Sequence, residues 1–76
     1  MEYQVIKTAK RQCRIKLLPQ TREEEHLLAA ASDADMIEHY YHRAVKRKFG
    51  PVAHLLGTQH VRYPFEVDAD FVREGE

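Results

Sequence analysis

The sequence predicts an α+β fold: a small β-β-α-α-β domain in which a short antiparallel sheet packs against two helices. Two segments, 11–18 and 61–71, alternate apolar with polar residues, as half-buried strands do. Between them lie two stretches with clear signals for where a helix begins and ends. A chain of 76 residues supports one domain, 1–76, in which residues 73–76 are expected to fray.

Two strands are predicted in the first quarter of the chain. Residues 3–7 include Val5 and Ile6 and form a short first strand. The second strand, 11–18, has an apolar face and a polar face, since Cys13, Ile15 and Leu17 alternate with Gln12, Arg14 and Lys16.

The first helix is predicted to follow Pro19, which ends the second strand. Thr21 and Glu24 form a capping-box pattern, and the acidic run 23–25 lies where the helix dipole favours negative charge. We expect this helix to extend to about Ala31.

The second helix has the strongest signals in the chain. Ser32 or Asp33 can cap a helix that runs from Ala34 to Phe49, and Gly50 followed by Pro51 ends it. At 100° per residue one stripe is apolar and one side is polar and basic. The apolar stripe comprises Ile37, Tyr41, Ala44 and the Lys48 stem, with Tyr40 and Val45 beside it, and the opposite side carries His39, His42, Arg43 and Lys46.

After this helix, residues 52–56 are expected to add one more helical turn before Gly57. The alternation over 61–71 then predicts a strand. Because Pro64 cannot donate a ladder hydrogen bond, this segment is either an edge strand or two shorter pieces joined by a bulge.

Composition narrows the classes of function. Twelve basic and twelve acidic residues give a formal net charge of zero, so the whole chain exerts no field that would attract nucleic acid or an anionic membrane. The single Cys13 excludes an internal disulfide framework and favours a reducing compartment. The N-terminal residues do not resemble a signal peptide, and no apolar run is long enough to span a bilayer. We expect a cytoplasmic protein that does not bind membranes.

Metal binding and catalysis receive little support from the sequence. His39 and His42 are spaced i, i+3 and could reach one ion together with His54, His60 or Glu38, but this spacing occurs without a recognised ligand motif. We interpret them as exposed helix histidines. The chain has no nucleophile or phosphate-loop motif, and Cys13 lies on the apolar strand face, where a thiol is inert. The expectation is no enzyme, no metal and no cofactor.

DNA binding is the alternative function. The run CRIKLLPQTREEEHLLAAASDADMIEHYYHRAV, an alternating strand followed by a proline and two helices, resembles the ribbon-helix-helix family of DNA-binding regulators over about residues 11–49. In that family the outward side chains of the strand enter the major groove as a dimeric ribbon. The resemblance implies this role for Gln12, Arg14 and Lys16.

The sequence favours a protein partner over nucleic acid. Tyrosine and arginine are enriched at interface hot spots, and the second helix combines both. We expect a small binding module that acts stoichiometrically as a regulator or inhibitor of a protein with an acidic surface, of the kind encoded by phages and mobile elements; a homodimer is left open. The expected contact residues are Tyr40, Arg43, Lys46 and Arg47, followed by Arg14 and Lys16.

Overall fold

The computed structural model describes residues 1–31 and 33–75. Four strands form a single antiparallel sheet in the order β1-β2-β4-β3, and two helices cover one of its faces. The predicted α+β class is therefore confirmed. The elements are β1 (Glu2–Ala9), β2 (Gln12–Leu18), α1 (Arg22–Ala30), α2 (Ala34–Phe49), β3 (Ala53–Arg62) and β4 (Glu66–Arg73).

The C-terminal third differs from the prediction. Residues 52–56 form no additional helical turn, because β3 begins at Ala53 and pairs with β4. The alternating segment 61–71 is divided between two strands, with Pro64 in the turn that joins them. Pro64 needs no ladder donor there, and the two strands satisfy each other's backbone groups as a hairpin. This pairing adds a fourth strand to the predicted sheet.

Capping groups fix the start of each helix. Thr21 Oγ1 accepts a hydrogen bond from the Glu24 amide at 3.1 Å, while Glu24 Oε1 accepts one from the Gln20 amide at 2.9 Å. Asp33 Oδ1 caps α2 by accepting from the Met36 amide at 3.0 Å. Ser32, the other predicted cap, lies outside the described residues.

Both helices end at a residue with positive φ. α1 ends at Ala30, one residue earlier than expected, because Ala31 adopts φ 48° and its amide donates to the carbonyls of Leu27 and Leu28. α2 covers the predicted range and ends before Gly50, whose φ of 101° favours glycine over any other residue.

The core lies between the sheet and the helices. As predicted, Cys13, Ile15 and Leu17 point inward and are buried. α2 buries Ile37, Tyr41, Ala44 and Val45, but Lys48 is exposed rather than part of the stripe. The Phe49 ring stacks on Phe71 with centroids 4.1 Å apart, which fixes the C-terminal end of α2 against β4.

The two edges of the sheet differ. β3 is interrupted by register shifts between Leu55 and Gly57 and between His60 and Arg62, whereas β1 pairs regularly with β2 from Glu2 to Lys7. Bulges weaken an edge as a template for another strand, so β1 is the more regular edge of the two.

The C-terminal residues remain tied to the sheet beyond the point where fraying was expected. Arg73 is the last residue of β4, and the Glu74 amide donates to the Val52 carbonyl at 2.9 Å. Glu76, which belongs to the tail expected to fray, lies outside the described residues. Neither helix is long and apolar enough to cross a membrane, within the part of the chain that the structure describes.

Candidate partner-binding site

A crevice separates α2 from the edge strand β1. It consists of a groove of about 670 Å³ and an adjoining depression of about 340 Å³, which share Tyr3 and Arg47. We call this feature the α2–β1 crevice. Its walls include Met1, Tyr3, Tyr40, Arg43, Lys46 and Arg47.

Helical spacing brings the α2 side chains of the crevice together. Tyr40, Arg43 and Arg47 stand at i, i+3 and i+7, which places them on one face. Burial of Tyr41, Ala44 and Val45 against the sheet turns that face toward β1. Tyr3 meets it from the strand, with its ring centroid 6.5 Å from that of Tyr40. The half-buried Tyr40 is therefore flanked by both arginines, as the sequence predicts.

The two arginines of the crevice carry uncompensated charge. The Arg47 guanidinium lies 5.6 Å from the centre of the Tyr3 ring, a cation–π distance. Among the described residues, neither Arg43 nor Arg47 forms an ion pair with a carboxylate of this chain. Both side chains are exposed, so their positive charge is available to another molecule.

Lys46 lines the crevice and also forms hydrogen bonds within the fold. Its Nζ donates to the carbonyl oxygens of Pro51 at 3.2 Å and Ala53 at 3.0 Å, and it lies 3.4 Å from His54 Nδ1. The Pro51 carbonyl belongs to the connection between α2 and β3, and the Ala53 carbonyl belongs to the first residue of β3. Lys46 therefore lines the crevice but is held at one end of it by the fold itself.

The far end of the crevice holds an ion pair. Glu24 of α1 lies there, with its Oε2 2.6 Å from the Met1 amino nitrogen. Hydrogen bonds from that amino group and from the Gln20 amide lower the pKa of the Glu24 carboxyl. The charges at this end of the crevice are therefore paired with each other, whereas the two arginines along α2 have no carboxylate partner among the described residues.

Arg14 and Lys16 lie on the opposite face of the sheet. Arg14 binds Asp68 through two hydrogen bonds of 2.8 and 3.3 Å, and Lys16 Nζ lies 3.4 Å from Glu66 Oε2. The bond to Asp68 raises the pKa of Arg14 and lowers that of the carboxyl. The structure therefore brings together Tyr40, Arg43, Lys46 and Arg47 and separates them from the two strand residues, whose charges β4 neutralises.

Tyr3 is a crevice residue that the sequence alone did not predict. The predicted first strand could have indicated it, because Tyr3 and Val5 are two residues apart and share a face of that strand. Pairing of β1 with β2 puts that face on the core side, where both side chains are half-buried.

The residues considered for metal or thiol chemistry are dispersed. His39 is exposed, and His42 Nε2 lies 3.7 Å from Glu38 one helical turn away. No group of three or more histidine, cysteine or acidic side chains is placed to hold a metal ion within residues 1–31 and 33–75. Burial, reinforced by Asp68 and Asp70, raises the pKa of the Cys13 thiol to about 11.

The strand proposed to enter DNA is a central strand. β2 pairs with β1 on one side and with β4 on the other, so both of its edges are occupied. A ribbon-helix-helix dimer requires this strand to pair with its counterpart in a second chain. That pairing is not available to β2 in this fold.

Comparison with known proteins gives no relative. No family description, no curated protein and no solved structure matches this chain. The function must therefore be argued from the crevice and its charges.

Proposed function

We propose that this chain is a small binding module that acts stoichiometrically, as a regulator or inhibitor, by holding an acidic segment of a protein partner in the α2–β1 crevice. One observation carries the proposal: Arg43 and Arg47 line a crevice without a carboxylate partner of their own among the described residues. In a chain of zero net charge, this is a local surplus of positive charge.

The chemistry of the crevice suits a polypeptide. Tyr3 and Tyr40 supply aromatic surface beside the two guanidinium groups, and tyrosine and arginine together are typical of interface hot spots. A crevice that is only a few side chains long accommodates a segment rather than a duplex, whose phosphates extend along both strands. The ion pairs of Arg14 and Lys16 remove a second basic face that a duplex would need.

The test uses a fluorescent poly-L-glutamate peptide and a fluorescent DNA duplex, with binding followed by anisotropy at 50 and 200 mM salt. The double variant Arg43→Glu, Arg47→Glu removes the crevice charge. Its matched control, Lys10→Glu with Arg11→Glu, changes net charge by the same amount at exposed positions between β1 and β2. We expect the crevice variant to bind the peptide at least about tenfold more weakly and the control to retain most of the affinity.

Two results would contradict the proposal. Equal losses in the two double variants would show that only net charge matters. Tighter binding of the duplex than of the peptide, with a steep loss between 50 and 200 mM salt, would favour the DNA-binding alternative. An unfolding midpoint shared by both variants and the unmodified chain establishes that the fold is intact.

A further inference from the structure

The free edge of β1 forms one wall of the α2–β1 crevice, and its backbone orientation follows from the register. The Leu17 amide donates to the Phe65 carbonyl on the β4 side, so Leu17 turns its hydrogen-bonding groups away from β1. Tyr3 lies opposite Leu17 and Val5 opposite Ile15. In an antiparallel ladder such non-bonded pairs direct both N–H and C=O outward. Tyr3 and Val5 therefore present unpaired backbone groups along the edge.

The spacing of the two arginines along α2 is close to the spacing of alternate residues along a strand. A strand added to this edge would pair with Tyr3 and Val5, and its residues opposite them would project on the side of the sheet that α2 covers. Those two residues would stand about 7 Å apart along the strand. Arg43 and Arg47 are separated by about 6 Å along α2. Carboxylates at two alternate residues of the added strand would therefore be spaced to meet one arginine each.

On the opposite face of the sheet, the middle of β1 presents uncharged side chains. Gln4 and Ile6 alternate with Tyr3 and Val5 and point to the far side of the sheet, where Ile6 is 46% exposed. An added strand would place its intervening side chains beside these uncharged residues. The charged side chains on this face are already paired with each other between β2 and β4, Arg14 with Asp68 and Lys16 with Glu66.

We propose that the acidic segment binds as a fifth strand, antiparallel to β1 on its free edge, with carboxylates at alternate residues facing Arg43 and Arg47 and uncharged side chains between them. This inference rests on the proposed function and adds to it the conformation of the partner and the pattern of its sequence. Main-chain hydrogen bonds supply affinity in this mode of recognition, and the alternate side chains supply specificity.

The test compares three fluorescent decapeptides of alternating glutamate and threonine. One is unmodified, one carries N-methyl groups on the glutamate amides, and one carries them on the threonine amides. In the antiparallel pairing only the glutamate N–H groups would point to β1, because they belong to the residues opposite Tyr3 and Val5. We expect methylation of the glutamate amides to weaken binding at least about tenfold, and methylation of the threonine amides to change it little.

Amide hydrogen exchange supplies a second readout that needs no variant. On binding of the unmodified peptide, the amides of Tyr3 and Val5 should gain protection, whereas those of Gln4 and Ile6 already face β2 and should change little.

The outcomes distinguish the two proposals. Equal binding of both methylated peptides, with loss in the Arg43→Glu, Arg47→Glu variant, would overturn strand addition and leave acidic-segment binding in place. Absence of binding by every peptide would overturn both. A dimer in sedimentation that the peptide does not dissociate would show that a second copy occupies the edge, and would likewise overturn strand addition by a partner.

Discussion

Tyr41 Oη donates a hydrogen bond of 2.5 Å to the carbonyl oxygen of Pro64. This contact joins the middle of α2 to the turn between β3 and β4, two parts of the chain that are 23 residues apart. It also explains why the second of two adjacent tyrosines is buried: its hydroxyl has a partner inside the fold, and burial raises its pKa. Tyr40 remains at the margin and faces the crevice.

Replacement of Tyr41 by phenylalanine should destabilise the protein. The substitution keeps the ring in the core but leaves the Pro64 carbonyl without its donor. An unsatisfied buried acceptor typically costs about 1 kcal/mol or more, so the free energy of unfolding should fall by roughly that amount. Urea unfolding at neutral pH measures it. Tyr40→Phe is the matched control and should leave stability unchanged, and an equal loss in both variants would contradict a specific role for the bond.

The Tyr3–Arg47 pair should show measurable coupling. A double-mutant cycle with Tyr3→Leu and Arg47→Met isolates the cation–π contact, which at an exposed site contributes about 0.5 kcal/mol. The same cycle with Arg43→Met is the control, because the structure gives Arg43 no contact over this ring. Coupling of the same size in both cycles would mean that the 5.6 Å contact is not special.

Acid should weaken the sheet through Asp68. Arg14 lowers the pKa of this carboxyl below its ordinary 3.8, so the unfolded chain takes up the proton first on acidification. The ion pair contributes its full stabilisation above pH 3.8, the ordinary pKa of the carboxyl. This stabilisation is lost as the pH falls through the lower pKa of Asp68 in the folded chain. Asp68→Asn should therefore be less stable than the unmodified chain at pH 7, and the difference should shrink below pH 3.8.

Urea unfolding over a range of pH tests this dependence. Glu2→Gln, which replaces an exposed carboxylate at the start of β1, serves as the control for the loss of one negative charge. A constant difference between Asp68→Asn and the unmodified chain from pH 7 down to pH 2 would contradict the ion pair as its source.

Local signals predicted the helices and the second strand. Asp33 and Gly50 mark both ends of α2, and the period-two pattern of β2 specified which side chains enter the core. β3 escaped prediction because residues 53–62 combine a glycine, two histidines and two interruptions of register, which disturb the alternation. Only pairing with β4, a contact distant in sequence, makes this segment a strand.

The candidate site was predicted in part, for the same reason. Helical periodicity is sufficient to group Tyr40, Arg43 and Arg47. It cannot reveal that β1 is an edge strand beside them, nor that Arg14 and Lys16 lie opposite carboxylates. Those facts depend on strand order and on the register of β2 with β4, a pairing between segments that are distant in sequence.

The Cys13 thiol should be nearly unreactive in the folded protein. Its ordinary pKa is 9.0 and its folded value is about 11, so its thiolate population at a given pH is roughly a hundredfold smaller. Burial in β2 also denies access to a reagent. Alkylation by iodoacetamide at pH 8 should therefore be more than about a hundredfold slower in the native chain than in urea.

An exposed thiol on the same scaffold calibrates that rate. Thr58→Cys, made together with Cys13→Ala, places the cysteine on β3, where the side chain is exposed, and should react at the rate of an unfolded chain. If native Cys13 reacts as fast as this control, β2 must open on the timescale of the reaction. The core would then open more readily than its packing indicates. Because this core orients α2, the arginines of the crevice would be held less rigidly as well.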